Sequence, residues 1–316
     1  MATEPEIIEV PEDSPRKDNN SNTFYDDQVP VLIIEKDGVH HRIGTSGRTL
    51  IRLLTLFSVI TVAIVCLIVF LFFRADSVDM PATLSEKEII GMLEEPYDVT
   101  GKGIAIMNDT ILGVALEIYS LDGLVASLET ELPDTADRTL AAFFRSADYT
   151  PDSIAICPVV VNGKRVQFKE QDDRCAYVAV SPQGRAAIGV GKGDDVKKYT
   201  EKKGGSFFRQ YLLLGDNTLP SKFSLHGKVE RAALGRMNDG RLYYVMTRGK
   251  ETMWGFADAL REYGFMDAAY ITGGDKYDFI RRPDGSFKLG DKLREEYLEQ
   301  RGRRLASPML VFRSGR

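Results

Sequence analysis

Arg231-Ala-Ala-Leu-Gly235 puts a guanidinium at the head of an apolar, strand-like run, and Ala269-Tyr-Ile-Thr-Gly-Gly-Asp275 ends another such run on two glycines and a carboxylate. A planar guanidinium grips a phosphate in bidentate fashion, so Arg231 is the first candidate anion ligand and Arg209, within Phe207 to Leu214, the second. Glycines at a strand end let backbone amides approach an anionic oxygen, a role open to Gly273 and Gly274 beside Thr272. Proton transfer at a scissile bond needs a carboxyl group, and Asp275 and Asp278 follow Gly274 by one and four residues. Asp239 joins the candidate binding residues, from the Asn238-Asp239-Gly240 segment between the two runs.

Other chemistries have less material. Gly189, Gly191 and Gly193 alternate with other residues, but the segment fits neither the Walker pattern nor the dinucleotide fingerprint and reads as a strand end. Of the three histidines only His226 lies beyond residue 73, which leaves little material for a multi-histidine centre or a Ser-His-Asp triad; before Gly227 it reads as a turn residue rather than a catalytic one. No ligand motif supports a divalent metal, and the cofactor is left unassigned. Cys157 and Cys175 flank the turn at Asn162-Gly163-Lys164; without a nearby histidine they make a poor zinc site, and in an oxidising compartment they can pair in a disulfide.

Taken in order, the Arg231 to Gly235 strand, the Asp239-Gly240 hairpin, a helix and the strand running into Gly273-Gly274 resemble the phosphodiester glycosidase family. In that family an Arg-x-Ala-x-Gly strand, an Asp-Gly hairpin and a helix lead to a strand ending in Asp-Gly-Gly. The resemblance is clearest over Gly204 to Asp275. It implies hydrolysis of a sugar 1-phosphodiester, with a cation on the phosphate, a carboxyl at the scissile bond, and a glycan or glycosyl phosphate as partner. Thr272 stands where the family has Asp, and a hydroxyl supplies neither the charge nor the acid/base capacity of a carboxylate. Two readings follow: a glycosidase-like hydrolase acting on a glycosyl phosphodiester or envelope polysaccharide, and a catalytically degenerate member of the same fold that binds envelope glycans or a partner protein.

The elements that must position these residues read as follows. Ser85 and Glu88 have capping-box spacing and open a helix over Leu84 to Glu94. Strands are expected at Gly103 to Met107, Ile111 to Tyr119, Ile154 to Val161, Val166 to Lys169, Cys175 to Val180, Arg185 to Val190, Phe207 to Leu214 and Val229 to Met237. Ala136 to Arg145 suits a helix. Asn238-Asp239-Gly240 marks a hairpin into Arg241 to Met246, and Glu251 to Tyr263 is an amphipathic helix stopped by Gly264. A strand at Ala268 to Thr272, a hairpin around Pro283-Asp284-Gly285, a charged helix at Asp291 to Arg301 and a strand at Met309 to Arg313 complete the series. Phe207, Phe208, Trp254 and Phe256 are expected in the core. The class is α+β (mixed α/β), a predominantly antiparallel sheet with packed helices.

Residues 53 to 73 hold no charge over 21 positions, enough for one spanning helix. Arg42, Arg48 and Arg52 precede the run and Arg74 alone follows it, which places the N-terminus in the cytoplasm and residues 74–316 in the periplasm or outside the cell. Residues 1–52 carry six basic and ten acidic side chains and read as a disordered acidic tail. Within it, Val29 to Ile34 reads either as a strand or as a short motif for a cytoplasmic partner. Residues 74–316 carry 35 basic and 36 acidic side chains, so no strong field points to nucleic acid.

Overall fold

The chain divides into two units, Met1–Arg74 and Ala75–Arg316. The computed structural model describes residues 34–35, 38–39, 45–74, 80–99, 104–150, 152, 154–170, 173–271, 278–292, 294 and 307–315. In the first unit β1 (Ile34–Glu35) pairs antiparallel with β2 (Gly38–Val39), and α1 (Thr45–Arg74) follows. Its Ile51–Ile68 window has a mean hydropathy of 2.6 and no buried residue, so by length and composition it is a candidate for a single membrane span. Thr55 and Thr61 donate their hydroxyls to the carbonyls of Arg52 and Phe57, each at 2.9 Å, so neither needs a partner outside the helix.

The second unit opens on α2 (Glu86–Glu94), started by a capping box: Ser85 N–H donates to Glu88 at 2.8 Å and Glu88 N–H to the Ser85 hydroxyl at 3.3 Å. Next come β3 (Ile106–Ile111), β4 (Val114–Ser120), β5 (Val125–Glu129), β6 (Leu140–Arg145), β7 (Val159–Val161), β8 (Lys164–Arg165), β9 (Ala176–Val180) and β10 (Ala186–Val190). They are followed by α3 (Asp194–Lys203), β11 (Ser206–Gln210), β12 (Leu212–Leu214), β13 (Ala232–Met237), β14 (Leu242–Thr247), α4 (Met253–Tyr263), β15 (Phe265–Ile271), β16 (Asp278–Arg281), β17 (Phe287–Leu289) and β18 (Met309–Arg313).

The strands form three antiparallel sheets, in the orders β10-β9-β11-β7-β8, β12-β15-β13-β14-β4-β3 and β17-β16-β6-β18-β5. One core joins all three: Phe144 of β6 stacks on Tyr244 of β14 at 4.1 Å and tilts against Phe312 of β18, with Val178 and Phe208 of the first sheet in the same cluster. A second core lies between the six-stranded sheet and the Met253, Phe256, Ala257 and Leu260 face of α4. The helices α2 and α3 cover the first sheet through Ile89, Leu93 and Val196 against Tyr177 and Phe207.

Local chemistry sets the joints. Leu112-Gly113 and Asn162-Gly163 have positive φ at both positions, as two-residue hairpin turns require. Thr252 caps α4 by accepting from Gly255 N–H at 2.9 Å, and Gly264, at φ 104°, stops it.

Three expectations are corrected. Ala136 to Arg145 forms no helix; β6 occupies its second half, with Ala142 and Phe144 in the central core and Leu140 and Phe143 in a separate cluster. Burial on both faces removes the alternation that marks a strand. The glycines at 189, 191 and 193 do not simply end a strand: Gly193, in the left-handed region at φ 66°, leads directly into α3, a helix that the sequence reading did not include. Trp254 is 47% exposed, whereas Phe207, Phe208 and Phe256 are buried. The charged helix expected at 291–301 falls mostly outside the described residues.

Candidate functional site

Ala232, the first residue of β13, pairs with Ile271 on one side and Met246 on the other. Arg231 therefore stands at the end of the six-stranded sheet where β15 finishes. It is buried, its Nε donates to the Glu251 carbonyl at 3.1 Å and its Nη2 to the Gly227 carbonyl at 2.8 Å. Its guanidinium carbon lies 5.9 Å from the centre of the Tyr270 ring.

Arg209 lies on β11, in a different sheet, opposite Tyr177. It is buried; Nε and Nη2 both donate to the Arg174 carbonyl, at 3.0 and 2.6 Å, and Nη1 to Glu170 at 3.0 Å. Arg174 is buried in turn, bonded to Asp148 and Asp173 at 2.9 Å each, with its guanidinium 4.3 Å from the Tyr211 ring centre. Tyr211 meets Tyr270 edge to face at 6.3 Å, and Tyr270 N–H donates to the Tyr211 carbonyl at 2.9 Å. The two predicted cations are thus joined by a continuous train, Arg231, Tyr270, Tyr211, Arg174, Arg209. Its hinge is Tyr211, where the chain leaves the first sheet as β11 and enters the six-stranded sheet as β12.

Burial sets the protonation of this train. It pushes the Tyr211 hydroxyl up to about 12 against the opposing charge of Arg174, and it raises Tyr270 against the hydrogen bond from Arg231. Both phenols are neutral at pH 7. Burial disfavours charge on Arg174, but the bond and charge of Asp148 outweigh it and hold the cation. Asp148, Asp173 and Glu170 balance the charges of Arg174 and Arg209, which leaves Arg231, bonded to carbonyls, as the member of the train whose charge has no carboxylate bonded to it among the described residues.

The other predicted residues fall elsewhere. Thr272, Gly273, Gly274 and Asp275 lie outside the described residues. Asp239 is not near Arg231 or Arg209: it sits in the turn at the far end of β13, whose six residues at about 3.4 Å each separate it from Arg231, and is bonded to Arg241 N–H at 3.0 Å and Nε at 2.6 Å. Asp278, fully buried at the start of β16, lies 3.9 Å from Lys288 Nζ. Lys288 is also 3.8 Å from Glu117, which accepts from the Tyr119 hydroxyl at 2.8 Å. Burial and the Glu117 bond raise the Tyr119 hydroxyl far above its ordinary value.

The expected disulfide is not formed. Cys157 is buried, Cys175 half-buried, and both are thiols. They flank β7 and β9, and β11 runs between those strands. His226 is exposed, and among the described residues no three His, Cys, Asp or Glu side chains are grouped to hold a metal. A surface cavity of about 390 Å³, lined by Glu94, Pro182, Gln183, Tyr199 and Lys203, includes no member of the train.

Sequence reasoning missed Arg174, Tyr211 and Tyr270. Tyr270 was legible as the aromatic residue two before Thr272 in the family-like strand; Arg174 gave no signal, because only the fold brings it over Tyr211.

The family model for phosphodiester glycosidases matches residues 140–312, more than half of the 316 residues. The chain belongs to the phosphodiester glycosidase family. The matched span of this family member runs from β6 to β18 and contains the whole arginine–tyrosine train. Among solved structures, the catalytic domain of zebrafish N-acetylglucosamine-1-phosphodiester alpha-N-acetylglucosaminidase, auto-inhibited by pro-peptide, is 14% identical, with a TM-score of 0.46 over 67% of this chain and 83% of that one. A hypothetical protein from Synechocystis is 10% identical, with a TM-score of 0.40 over 67% of this chain and 62% of that one. No curated protein matches the chain in sequence.

Proposed function

We propose that this family member is a membrane-anchored hydrolase whose residues 74–316 act outside the cytoplasm on a glycosyl phosphodiester or a related envelope polysaccharide. In this reading residues 53–73 are the single span and residues 1–52 the cytoplasmic tail, with the orientation argued from Arg42, Arg48 and Arg52 on one flank against Arg74 on the other. The observation that carries the reading is the buried train of Arg231, Tyr270, Tyr211, Arg174 and Arg209, which ends beside the strand that leads into Thr272-Gly273-Gly274-Asp275.

In the proposed reaction Arg231 holds the phosphate of the diester, and the amides of Gly273 and Gly274 take up an anionic oxygen. Water attacks at the glycosidic bond, and Asp275 handles the proton in place of the carboxyl that Thr272 lacks. A second reading, a catalytically degenerate glycan-binding domain, is favoured by Thr272 and by Arg231 itself, whose Nε and Nη2 already serve the carbonyls of Glu251 and Gly227.

The test is hydrolysis of an aryl or sugar 1-phosphodiester by the detergent-solubilised full chain across pH and divalent metals, with thermal unfolding as the folding control. Turnover that falls about 10² to 10⁴-fold in a folded Asp275→Ala variant supports the hydrolase and identifies its carboxyl. A folded parent that turns over no substrate sinks the hydrolase reading for this class and leaves the glycan-binding one, which calorimetry with the same compounds would then detect.

A further inference from the structure

Trp254 is the only tryptophan in the chain, and it is 47% exposed on the first turn of α4, while its neighbours Met253 and Phe256 are buried. It is held rather than loose. The ring of the buried Phe223 meets it at 4.8 Å and 79°, and a perpendicular neighbour covers at most one of the two indole faces. Thr252 caps the helix one residue before it, so its backbone is fixed as well.

Its position in the topology is what gives the exposure meaning. β14 ends at Thr247 beside the start of β13, α4 begins a short loop later, and β15 ends at Ile271 beside the same start. The first turn of α4, Arg231 and the exit of β15 toward Thr272 therefore share one end of the six-stranded sheet. Two direct links tighten this: Arg231 Nε bonds the carbonyl of Glu251, three residues before Trp254, and Val229 and Glu251 exchange backbone hydrogen bonds of 2.8 and 3.1 Å. The same two segments carry Val229, 46% exposed, and Lys228 at 3.8 Å from the Glu251 carboxylate, whose Oε1 also accepts from Thr252 N–H at 2.8 Å. An aromatic face on a segment linked to that of a cation, a carboxylate and a buried guanidinium, all at one end of the sheet, matches a ligand with an apolar C–H face, a rim of hydroxyls and an attached phosphate.

We propose that Trp254 is the stacking platform for the pyranose ring of the glycosyl phosphodiester, forming a sugar subsite with Lys228 and Glu251 next to the phosphate site at Arg231. This rests on the hydrolase or glycan-binding reading above and adds the place where the sugar lies. The aromatic ring supplies contact area to the C–H face, and the polar pair supplies hydrogen bonds to the hydroxyls.

The experiment uses the detergent-solubilised full chain and three probes: a methyl phosphodiester of a hexose 1-phosphate, the corresponding methyl hexoside, and dimethyl phosphate. Because Trp254 is the only indole, emission reports this site alone. Saturable quenching or a blue shift with the sugar phosphodiester and the hexoside, absent with dimethyl phosphate, is expected. By calorimetry Trp254→Ala should weaken sugar phosphodiester binding about tenfold, Trp254→Phe less, and neither should change binding of dimethyl phosphate. Sugar phosphodiester binding with unaltered emission, or with the same affinity in a folded Trp254→Ala variant, overturns the subsite and leaves the broader reading standing. No binding of any probe by the folded parent overturns both.

Discussion

Arg236 and Asp267 face each other across β13 and β15 as a buried ion pair, with side chains 5% and 2% exposed. Arg236 Nε donates to Asp267 Oδ2 at 3.1 Å, while Oδ1 accepts from the Thr83 hydroxyl at 3.0 Å and from Asp216 N–H at 3.1 Å. One carboxylate thus ties two strands to the segment before α2 and to the turn after β12. Removing one member of such a pair strands the other charge in the interior and costs about 3–5 kcal/mol. Asp267→Ala should lower the urea midpoint accordingly, and a loss under about 1 kcal/mol would contradict the pair's structural role. Replacing both members by apolar residues of similar volume should recover part of the loss.

Gly189 lies directly opposite Tyr177 in the β9–β10 pairing, and a Cβ built on it would come within 2.1 Å of the tyrosine ring. The ring is fully buried between Phe207 and the helices and has nowhere to retreat. Gly189→Ala should therefore destabilise by about 1–3 kcal/mol, the usual range for overpacking. An unchanged thermal midpoint would mean that the ring moves more freely than its surroundings imply.

The elements legible in the sequence were those written in local chemistry. Ser85 with Glu88, Asn238-Asp239-Gly240, Gly264 and the Met309 to Arg313 run each specify a cap, a turn, a stop or a strand without reference to distant residues. What failed depended on neighbours. Leu140 to Arg145 lost its alternation because two different clusters bury its two faces, and α3 was missed because only Val196 and Thr200 of that polar segment are buried. The site followed the same division. Arg231 and Arg209 stood out as cations in apolar strands, but Arg174 over Tyr211 exists only because the chain changes sheets at Tyr211. Asp239 was drawn in by its closeness in sequence, when the length of β13 carries it away.

No disulfide joins Cys157 and Cys175, so oxidation should not stabilise this fold through that pair. The thermal midpoint is expected to be the same with and without a thiol reductant, and non-reducing and reducing gels should give the same mobility. A midpoint that drops on reduction in the parent, but not in Cys175→Ser, would show that the bridge forms after all.

Acid sensitivity should come from surface carboxylates held low in the folded state. The bond from Arg165 lowers Glu201 below its ordinary 4.5, and the bond from Lys197 lowers Asp194 below 3.8. A depressed folded value means that the ionised form favours the fold. The contribution is complete above the unfolded values and is lost as pH falls through the folded ones. Thermal midpoints should stay level from pH 7 to about 5 and decline below that. Glu201→Gln should make the decline shallower; an acid limb identical to the parent's would remove Glu201 from the account.

Arg231→Lys separates the charge of Arg231 from its shape. The guanidinium reaches two carbonyls at once, Gly227 at 2.8 Å and Glu251 at 3.1 Å, and lies over Tyr270. An ammonium keeps the charge but cannot present two donors in a plane, and it stacks less well on a ring. Leaving one buried carbonyl unserved costs about 1–3 kcal/mol, so the variant should remain folded with a measurably lower midpoint. If the fork also holds a phosphate, affinity for the sugar phosphodiester should fall further than the stability loss accounts for, while the hexoside without phosphate should bind as before. Equal weakening of both compounds would make Arg231 a scaffold for the Gly227 to Glu251 segment alone.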